Sequence, residues 1–393
     1  MAGYLERQSK ETWRLFASGG KGPNGQRKRF TKTVKAGSKR EAEKLLAQFV
    51  AEVEKGLFVE SAKLTLADFA ERWLRDHGEK NLAPKTLHRY RQLLNHRILP
   101  ALGHLKLEQV RPAHLMEFYS SLRAEGVRLD GKAGQLSGKT VLAHHRLLSS
   151  LLQDAVQWQL IASNPCSRVE PPKAKRAATA CYDEEQVASM LQALECEPLK
   201  YQVLIWLALA TGARRGELMG LEWQHLDTKS NLLTICQASQ YLPRLGCFLK
   251  EPKNDSSKRV VAIPQSVMDL LRQLRLKQVE DRLRLGDLWT DSGRIFLMWD
   301  GKPMHPETPS RWWPKFLQKH NLDPLPFHGL RHTSATLLIH GGLNLKAISS
   351  RLGHANTTTT VNIYAHALKS SDREAADKME SLLSKNKKKA SQS

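Results

Sequence analysis

The residue types best suited to handling a phosphodiester lie in five short patterned segments of the C-terminal half. Ala210-Thr-Gly-Ala-Arg-Arg-Gly-Glu-Leu218 sets two arginines in a glycine-punctuated turn directly after the apolar run Val203 to Ala210. Phe327-His-Gly-Leu-Arg-His-Thr-Ser334 spaces His328 and Arg331 at i, i+3, which places them on one face of a helix start. A lysine-rich turn, Lys250-Glu-Pro-Lys-Asn-Asp-Ser-Ser-Lys258, sits between two strand candidates. Leu352-Gly-His354 and Tyr364, the latter inside Val361-Asn-Ile-Tyr-Ala-His-Ala367, complete the set. Arginine forks bind non-bridging phosphate oxygens bidentately. Histidine and lysine carry protons, and a hydroxyl can form a covalent intermediate. These are the parts for phosphoryl transfer without a metal ion. Each part alone is commonplace: one tyrosine at helical spacing is usually core or surface, and Arg215 beside Arg214 reads equally as a solvated charge. The inference rests on the ordered set.

The elements needed to hold these residues are legible around them. Val203 to Ala210 reads as a buried helix. Leu232 to Ile235, Cys247 to Leu249 and Arg259 to Ile263 read as strands of one small sheet, and Val267–Leu285, Arg311–Lys319 and the stretch from Leu330 onward as helices. Residues 64 to about 163 read as all-helical. Thr65 and Asp68 cap a helix with Leu66, Phe69, Trp73 and Leu74 on one face. Pro84 suits the first turn of the next helix, whose basic flank is Lys85, His88, Arg89 and Arg91. A third helix is expected near Pro112 to Ala124 and a fourth from Lys139 to Gln159, ended by Asn164-Pro165. Ahead of these, Trp13, Leu15 and Phe16 precede a Gly-rich turn, and Arg27 to Val34 follow it with partial alternation, which predicts a β-hairpin. Ser38 and Glu41 form a capping box for a helix striped by Ala42, Leu45, Leu46, Phe49 and Val53.

Composition bounds the function. The 393 residues carry 61 Lys and Arg against 39 Asp and Glu, a formal charge of +22, which points to a polyanionic partner. Eleven of those basic residues fall in the first 40 positions against Glu6 and Glu11, so the leading hairpin is either a second contact to a phosphate backbone or merely a solvated basic surface. The apolar run 203–210 is far short of the ~20 residues a membrane helix needs. MAGYLERQSK lacks the apolar stretch of a secretory signal. Five scattered cysteines with no CxxC spacing make a disulfide framework or zinc finger a poor fit and a reducing cytoplasm the simplest setting. Ala133-Gly-Gln-Leu-Ser-Gly-Lys-Thr140 satisfies a relaxed phosphate-loop pattern. It lacks the preceding buried strand that the motif requires, so it reads as an ordinary helix start. No cofactor or metal is expected.

The segments around Arg214, Arg331, His354 and Tyr364 together resemble the tyrosine recombinases, the phage-integrase family. The likeness extends to Pro84-Lys-Thr86 with Tyr90 and to the run from Leu148 to Asn164-Pro165, which resemble the helical core-binding domain, and to the basic N-terminal hairpin, which resembles an arm-binding domain. The resemblance implies a multidomain, mainly α fold with small β-sheets: an arm-type domain of three strands and a helix at 1–58, core-binding helices at 62–168, a linker at 169–180, a mixed α+β catalytic domain at 181–385 and a basic tail at 386–393. It implies that Arg214 and Arg331 clamp the phosphate, that Lys253 and His328 serve the proton transfers, that His354 is the second active-site histidine, that Tyr364 is the nucleophile and that Glu217 holds Arg214. Lys250 and Lys258 stay open as alternatives to Lys253, because the turn is longer than usual before Ile263-Pro264. Gly329 stands where many members carry Asp, and a weakened helix cap is the expectation there. Arg27, Lys28, Arg29, Lys85, Arg89 and Lys139 are the expected DNA contacts. The implied partners are double-stranded DNA at core and arm attachment sites, three further copies of the chain in a tetramer on DNA, an excisionase and a DNA-bending host protein, in a cytoplasmic, DNA-associated setting. The rival readings are a chromosome-dimer-resolving recombinase, which would lack the arm-type domain, a DNA-binding protein that has lost catalysis, and a type IB topoisomerase.

Overall fold

The computed structural model describes residues 3–21, 27–54, 64–173, 180–251, 258–353 and 379–380. The chain divides into two compact units, 1–176 and 177–393, with the division inside the segment expected as a linker. Lys253, His354 and Tyr364 lie outside the described residues, as do the side chains of Arg27 and Lys28.

The first unit opens with an antiparallel sheet of β1 (Gly3–Arg7), β2 (Thr12–Lys21) and β3 (Arg27–Lys35), followed by helix α1 (Lys39–Glu54). Alternation along β2 buries Trp13, Leu15 and Ala17 with Phe49 and Ala42 of α1, and leaves Arg14 and Phe16 on the opposite face. There Phe16 stacks on Tyr4 with ring centroids 4.4 Å apart, and the Arg14 guanidinium lies 5.7 Å from the Phe16 ring. Ser38 caps α1 as expected, accepting from the Glu41 amide at 3.3 Å. The return bond is displaced by one residue, since the Glu41 carboxylate accepts from Gly37.

The helical segment has its own core. Helix α2 (Leu66–Trp73) passes through a π-helical stretch, Leu74–Gly78, into α3 (Glu79–Asn81). Helix α4 (Pro84–Leu93) passes likewise through Leu94–Ile98 into α5 (Leu99–Leu102). Helices α6 (Pro112–Ser121) and α7 (Gly138–Gln157) follow. Thr65 and Asp68 make the reciprocal cap, Pro84 occupies the first turn of α4, and Phe69, Trp73, Leu94, Ile98, Leu115, Leu148 and Leu151 interlock around a dry centre. The phosphate-loop look-alike is the capped start of α7: Ser137 accepts from the Thr140 amide at 3.2 Å.

In the second unit, α8 (Glu184–Leu194) precedes α9 (Leu199–Thr211), whose Val203, Leu204, Ile205, Leu207 and Ala208 are buried. A short α10 (Arg215–Met219) leads to β4 (Leu226–Asp227), β5 (Leu232–Ile235), β6 (Ala238–Leu242), β7 (Gly246–Lys250) and β8 (Arg259–Ala262). Helices α11 (Gln265–Leu285), α12 (Thr308–Lys319), α13 (Gly329–His340) and α14 (Leu345–Leu352) complete it. Helix α9 packs against α11 and α13, and Trp313 of α12, fully buried, donates its indole N–H to the Leu325 carbonyl at 2.7 Å. Two expectations need correction. The strands form two sheets among the described residues, β4-β5-β8 and the hairpin β6-β7, because Ala238–Leu242, whose alternation is weak, pairs with Gly246–Lys250 and takes Cys247–Leu249 out of the sheet it was expected to join. The helix expected to run on from Leu330 stops at Gly341-Gly342 and restarts with Asn344 as its cap.

Candidate active site

Two helices end on glycines, and those ends place the arginines. Helix α9 closes at Gly212, φ +60°, and α14 closes at Gly353, φ +68°. That left-handed backbone costs glycine least, and each turn leaves a carbonyl aimed at a guanidinium. Gly212 O accepts from Arg331 Nη1 at 2.6 Å, and Gly353 O accepts from Arg214 Nη2 at 3.3 Å. A negative carbonyl end of a helix is the natural partner of a cation. Side chains at either glycine would collide: a Cβ on Gly212 would lie 2.4 Å from Leu352 Cδ2, and one on Gly353 would lie 2.8 Å from Arg259 Nη1.

Arg214 is the N-cap of α10 and donates twice to Glu217. Its amide donates to Glu217 Oε2 at 2.9 Å while its Nη1 donates to Oε1 at 2.7 Å. Its side chain is 41% exposed, so the fork is held through both terminal nitrogens while part of it stays open to solvent. Glu217 is buried. Burial pushes its carboxyl up, but the charge and hydrogen bond of Arg259 and the two bonds from Arg214 outweigh that and hold it below the usual carboxylate value. Arg331, in the first turn of α13, is buried apart from 3% of its surface.

His328 stands immediately before α13. It is exposed at the surface. Loss of water around the ring, then the charges of Arg331 and Arg214, lower its pKa below the ordinary imidazole value, with Glu217 opposing. Its ring meets His332 edge-on, centroids 5.0 Å apart at 89°. Burial, then His328 and Arg331, push the pKa of His332 down to about 4. His332 is therefore neutral at pH 7, and the same direction of shift favours the neutral ring of His328. Helix α13 starts without a side-chain cap hydrogen bond, and a Cβ on Gly329 would lie 2.5 Å from Leu325 Cδ1.

Arg214, Glu217, His328 and Arg331 are thus brought together from α9–α10 and α13. Lys250 ends β7, opposite Ala238, and Lys258 is exposed just ahead of β8. Arg215 donates from Nη1 to Ser310 Oγ at 2.6 Å, so it is anchored rather than loose. Residue-type reasoning missed Arg259 and Arg351. Arg259 donates to Glu217 Oε2 at 2.8 Å and to Arg351 O at 2.7 Å, and Arg351 Nη2 donates to the carbonyls of Ala210 and Ala262. No local signal separates such buried arginines from surface ones.

In the first unit, Arg29 stands opposite Ser18, on the same open face of the sheet as Arg14, Phe16 and Tyr4. Lys85, Arg89 and Lys139 are exposed. Arg89 of α4 shares a groove with Arg97, Arg128 and, from α7, Thr140. Among the described residues no helix is long and apolar enough to cross a membrane.

Comparison with known proteins agrees with this geometry. The phage integrase family profile matches residues 181–371, and the phage integrase N-terminal SAM-like domain profile matches residues 65–123. A tyrosine recombinase XerC-like protein of Caldanaerobacter subterraneus subsp. tengcongensis is 26% identical over 96% of this chain and 97% of its own length. An integrase of Streptomyces ambofaciens is 26% identical over 91% and 90% respectively. Among solved structures, the Tn1549 transposon integrase in complex with transposon right end DNA superposes with a TM-score of 0.66 at 23% identity, covering 81% of this chain and all of that one; at that identity it speaks for the fold. The chain belongs to the phage integrase family, the tyrosine recombinases. Its activity is that of a DNA strand transferase, site-specific recombination through a phosphotyrosyl link.

Proposed function

We propose that this chain is the integrase of a mobile element, with Arg214 and Arg331 as the phosphate clamp, Tyr364 as nucleophile, Lys253 as general acid and His328 and His354 completing the site. The observation that carries the reading is the convergence of Arg214, Glu217, Arg331 and His328 from segments more than a hundred residues apart. Tyr364 Oη attacks the scissile phosphorus, the bond to the 5′-oxygen breaks, and that oxygen leaves with a proton from Lys253. An unperturbed tyrosine at pH 7 is about 4 kcal/mol short of its phenolate. The clamp offsets that deficit by stabilising the charge that develops on the phosphate oxygens, and neutral His328 has a lone pair for the phenolic proton. Rejoining reverses the step with a 5′-hydroxyl as nucleophile, and because the bond energy is kept in the phosphotyrosine no ATP is consumed.

The basic open face of the N-terminal sheet, with Arg14 and Arg29 among aromatic rings, supports an arm-type DNA contact separate from the core site. That favours a mobile-element integrase over a chromosome-dimer-resolving enzyme. Assembly as a tetramer on DNA, with an excisionase and a DNA-bending host protein for directionality, belongs to the same reading. The test is a suicide substrate nicked near the crossover site, incubated with protein in EDTA. Wild type forms a covalent adduct; Tyr364→Phe binds the same DNA and forms none. An adduct that needs magnesium, or that survives Tyr364→Phe, overturns the mechanism.

A further inference from the structure

We propose that Arg259 is a positioning residue that ties three segments of the active site into one frame, and that its loss uncouples DNA cleavage from DNA binding. The inference rests on the reading of Arg214 as a phosphate-holding residue and adds to it the device that sets the arginine's pose.

The geometry is a single guanidinium used as a junction. Arg259 opens β8, one residue beyond Lys258, so its backbone continues the returning side of the lysine turn. Its side chain is only 6% exposed. Nη2 donates to Glu217 Oε2 at 2.8 Å, the same oxygen that accepts from the Arg214 amide. Nε donates to the Arg351 carbonyl at 2.7 Å, in the last turn of α14, two residues before Gly353. The Gly353 carbonyl in turn receives Arg214 Nη2. One side chain therefore closes a ring of contacts: Arg259 to Glu217, Glu217 to Arg214, Arg214 to Gly353, and Gly353 back through Arg351 to Arg259. The bareness of Gly353 is part of the device, because the guanidinium of Arg259 occupies the space a side chain there would need.

Two properties follow from the fork and its charge. A planar guanidinium can satisfy a carboxylate and a carbonyl at once in fixed directions, whereas a lysine ammonium supplies charge without that geometry. Buried Glu217 also needs a cation on each side to remain ionised, and Arg259 and Arg214 are those two cations. The remaining charged groups around the frame are His328 ahead of α13, whose titration feels Glu217, and Arg351 on α14, which faces Arg259. Removing Arg259 while leaving Glu217 ionised strands a buried anion that then pulls harder on Arg214. Protonating Glu217 instead releases that arginine. Either way the fork leaves its pose, and a displacement of about 1 Å at a reacting phosphate costs roughly 10²-fold in rate.

The experiment compares wild type, Arg259→Met and Arg259→Lys as full-length proteins. Hydrogen exchange on the free proteins is read in peptides covering 214–219 and 345–353. Single-turnover cleavage of the nicked suicide substrate is followed between about pH 5 and 8, beside mobility-shift binding. Arg259→Met is expected to exchange faster in both peptides, to bind DNA within about twofold of wild type and to cleave roughly 10²-fold more slowly. Its rate should also begin to fall toward acid pH earlier than that of wild type, because Glu217 has lost a cation that keeps it ionised. Arg259→Lys restores the wild-type pH profile while leaving the 345–353 peptide fast, which a purely structural role would not produce. Unchanged exchange in both peptides, or cleavage by Arg259→Met within about twofold of wild type at every pH, overturns the proposal. A wild-type protein that forms no adduct would count against the recombination reading alone, since the exchange comparison still decides the tie.

Discussion

Glu217→Gln removes one charge and changes one atom of the site. In the native site Oε2 accepts from the Arg214 amide at 2.9 Å and from Arg259 Nη2 at 2.8 Å, while Oε1 accepts from Arg214 Nη1 at 2.7 Å. Glutamine offers one acceptor oxygen and one amino group. Placing its oxygen at the Oε2 position keeps two of the three bonds, so that orientation wins. The amino group then faces Arg214 Nη1, donor against donor, and the guanidinium loses the contact that fixes its pose. A hydrogen bond to a charged group contributes about 1.5–3 kcal/mol. If that loss is carried into the transition state, cleavage slows roughly 10- to 150-fold. Helix α10 keeps its cap through the retained amide bond, so the fold and DNA binding persist. The assay is single-turnover adduct formation at saturating protein, with binding measured separately by mobility shift. Cleavage within about twofold of wild type would refute the argument that Glu217 sets the pose of Arg214. A parallel loss of binding would show that Glu217 supports the unit as a whole rather than this arginine.

Three further outcomes are expected. Gly212→Ala should lower the thermal midpoint of the second unit by more than Gly342→Ala. Both positions carry positive φ and a strain of about 1–2 kcal/mol, but only Gly212 adds a Cβ 2.4 Å from Leu352 Cδ2, a further cost of about 1–3 kcal/mol; equal shifts would sink the steric argument. Stability should fall as pH drops from the ordinary imidazole range toward 4, because His332, with a pKa of about 4 when folded, takes up its proton more readily in the unfolded chain. The slope is at most about 1.4 kcal/mol per pH unit for this one proton. Urea midpoints across that range should flatten in His332→Gln, and an unchanged slope would assign the effect elsewhere. Lys253→Ala should cleave poorly on ordinary DNA and recover on a 5′-phosphorothiolate, whose sulfur leaves without a proton. Recovery of Lys250→Ala or Lys258→Ala instead would move the acid to that position.

Local signals carried much of the fold. The Thr65–Asp68 box marks a helix start by satisfying backbone groups within three residues, and Pro84 marks another because a first-turn residue needs no amide, which is why sequence alone locates them. Arg214, Glu217, His328 and Arg331 were readable because each sits in a patterned segment. The hidden part is what depends on distant partners. The buried Arg259 side chain donates hydrogen bonds to Glu217 and to the Arg351 carbonyl, 42 and 92 residues away. The β6–β7 hairpin was unreadable for a similar reason: Ser239 and Leu242 turn inward with an irregular alternation, and register comes from the partner strand. The glycines of the site look like ordinary turn residues until the neighbouring side chains are known.

The ring of contacts has a consequence for the order in which the protein is made. Arg214 leaves the ribosome 139 residues before Gly353, the carbonyl that receives it. At about 5–20 residues per second that interval is roughly 7–28 s. Through that time the helical core of the first unit is already complete, while the clamp has one anchor and lacks the other. A nascent or prematurely ended chain can therefore occupy DNA before it is able to break it. On the proposed mechanism, cutting competence waits longer still, for Tyr364 beyond Gly353, so the risk of an unpaired nick is deferred until the whole of the machinery has been synthesised.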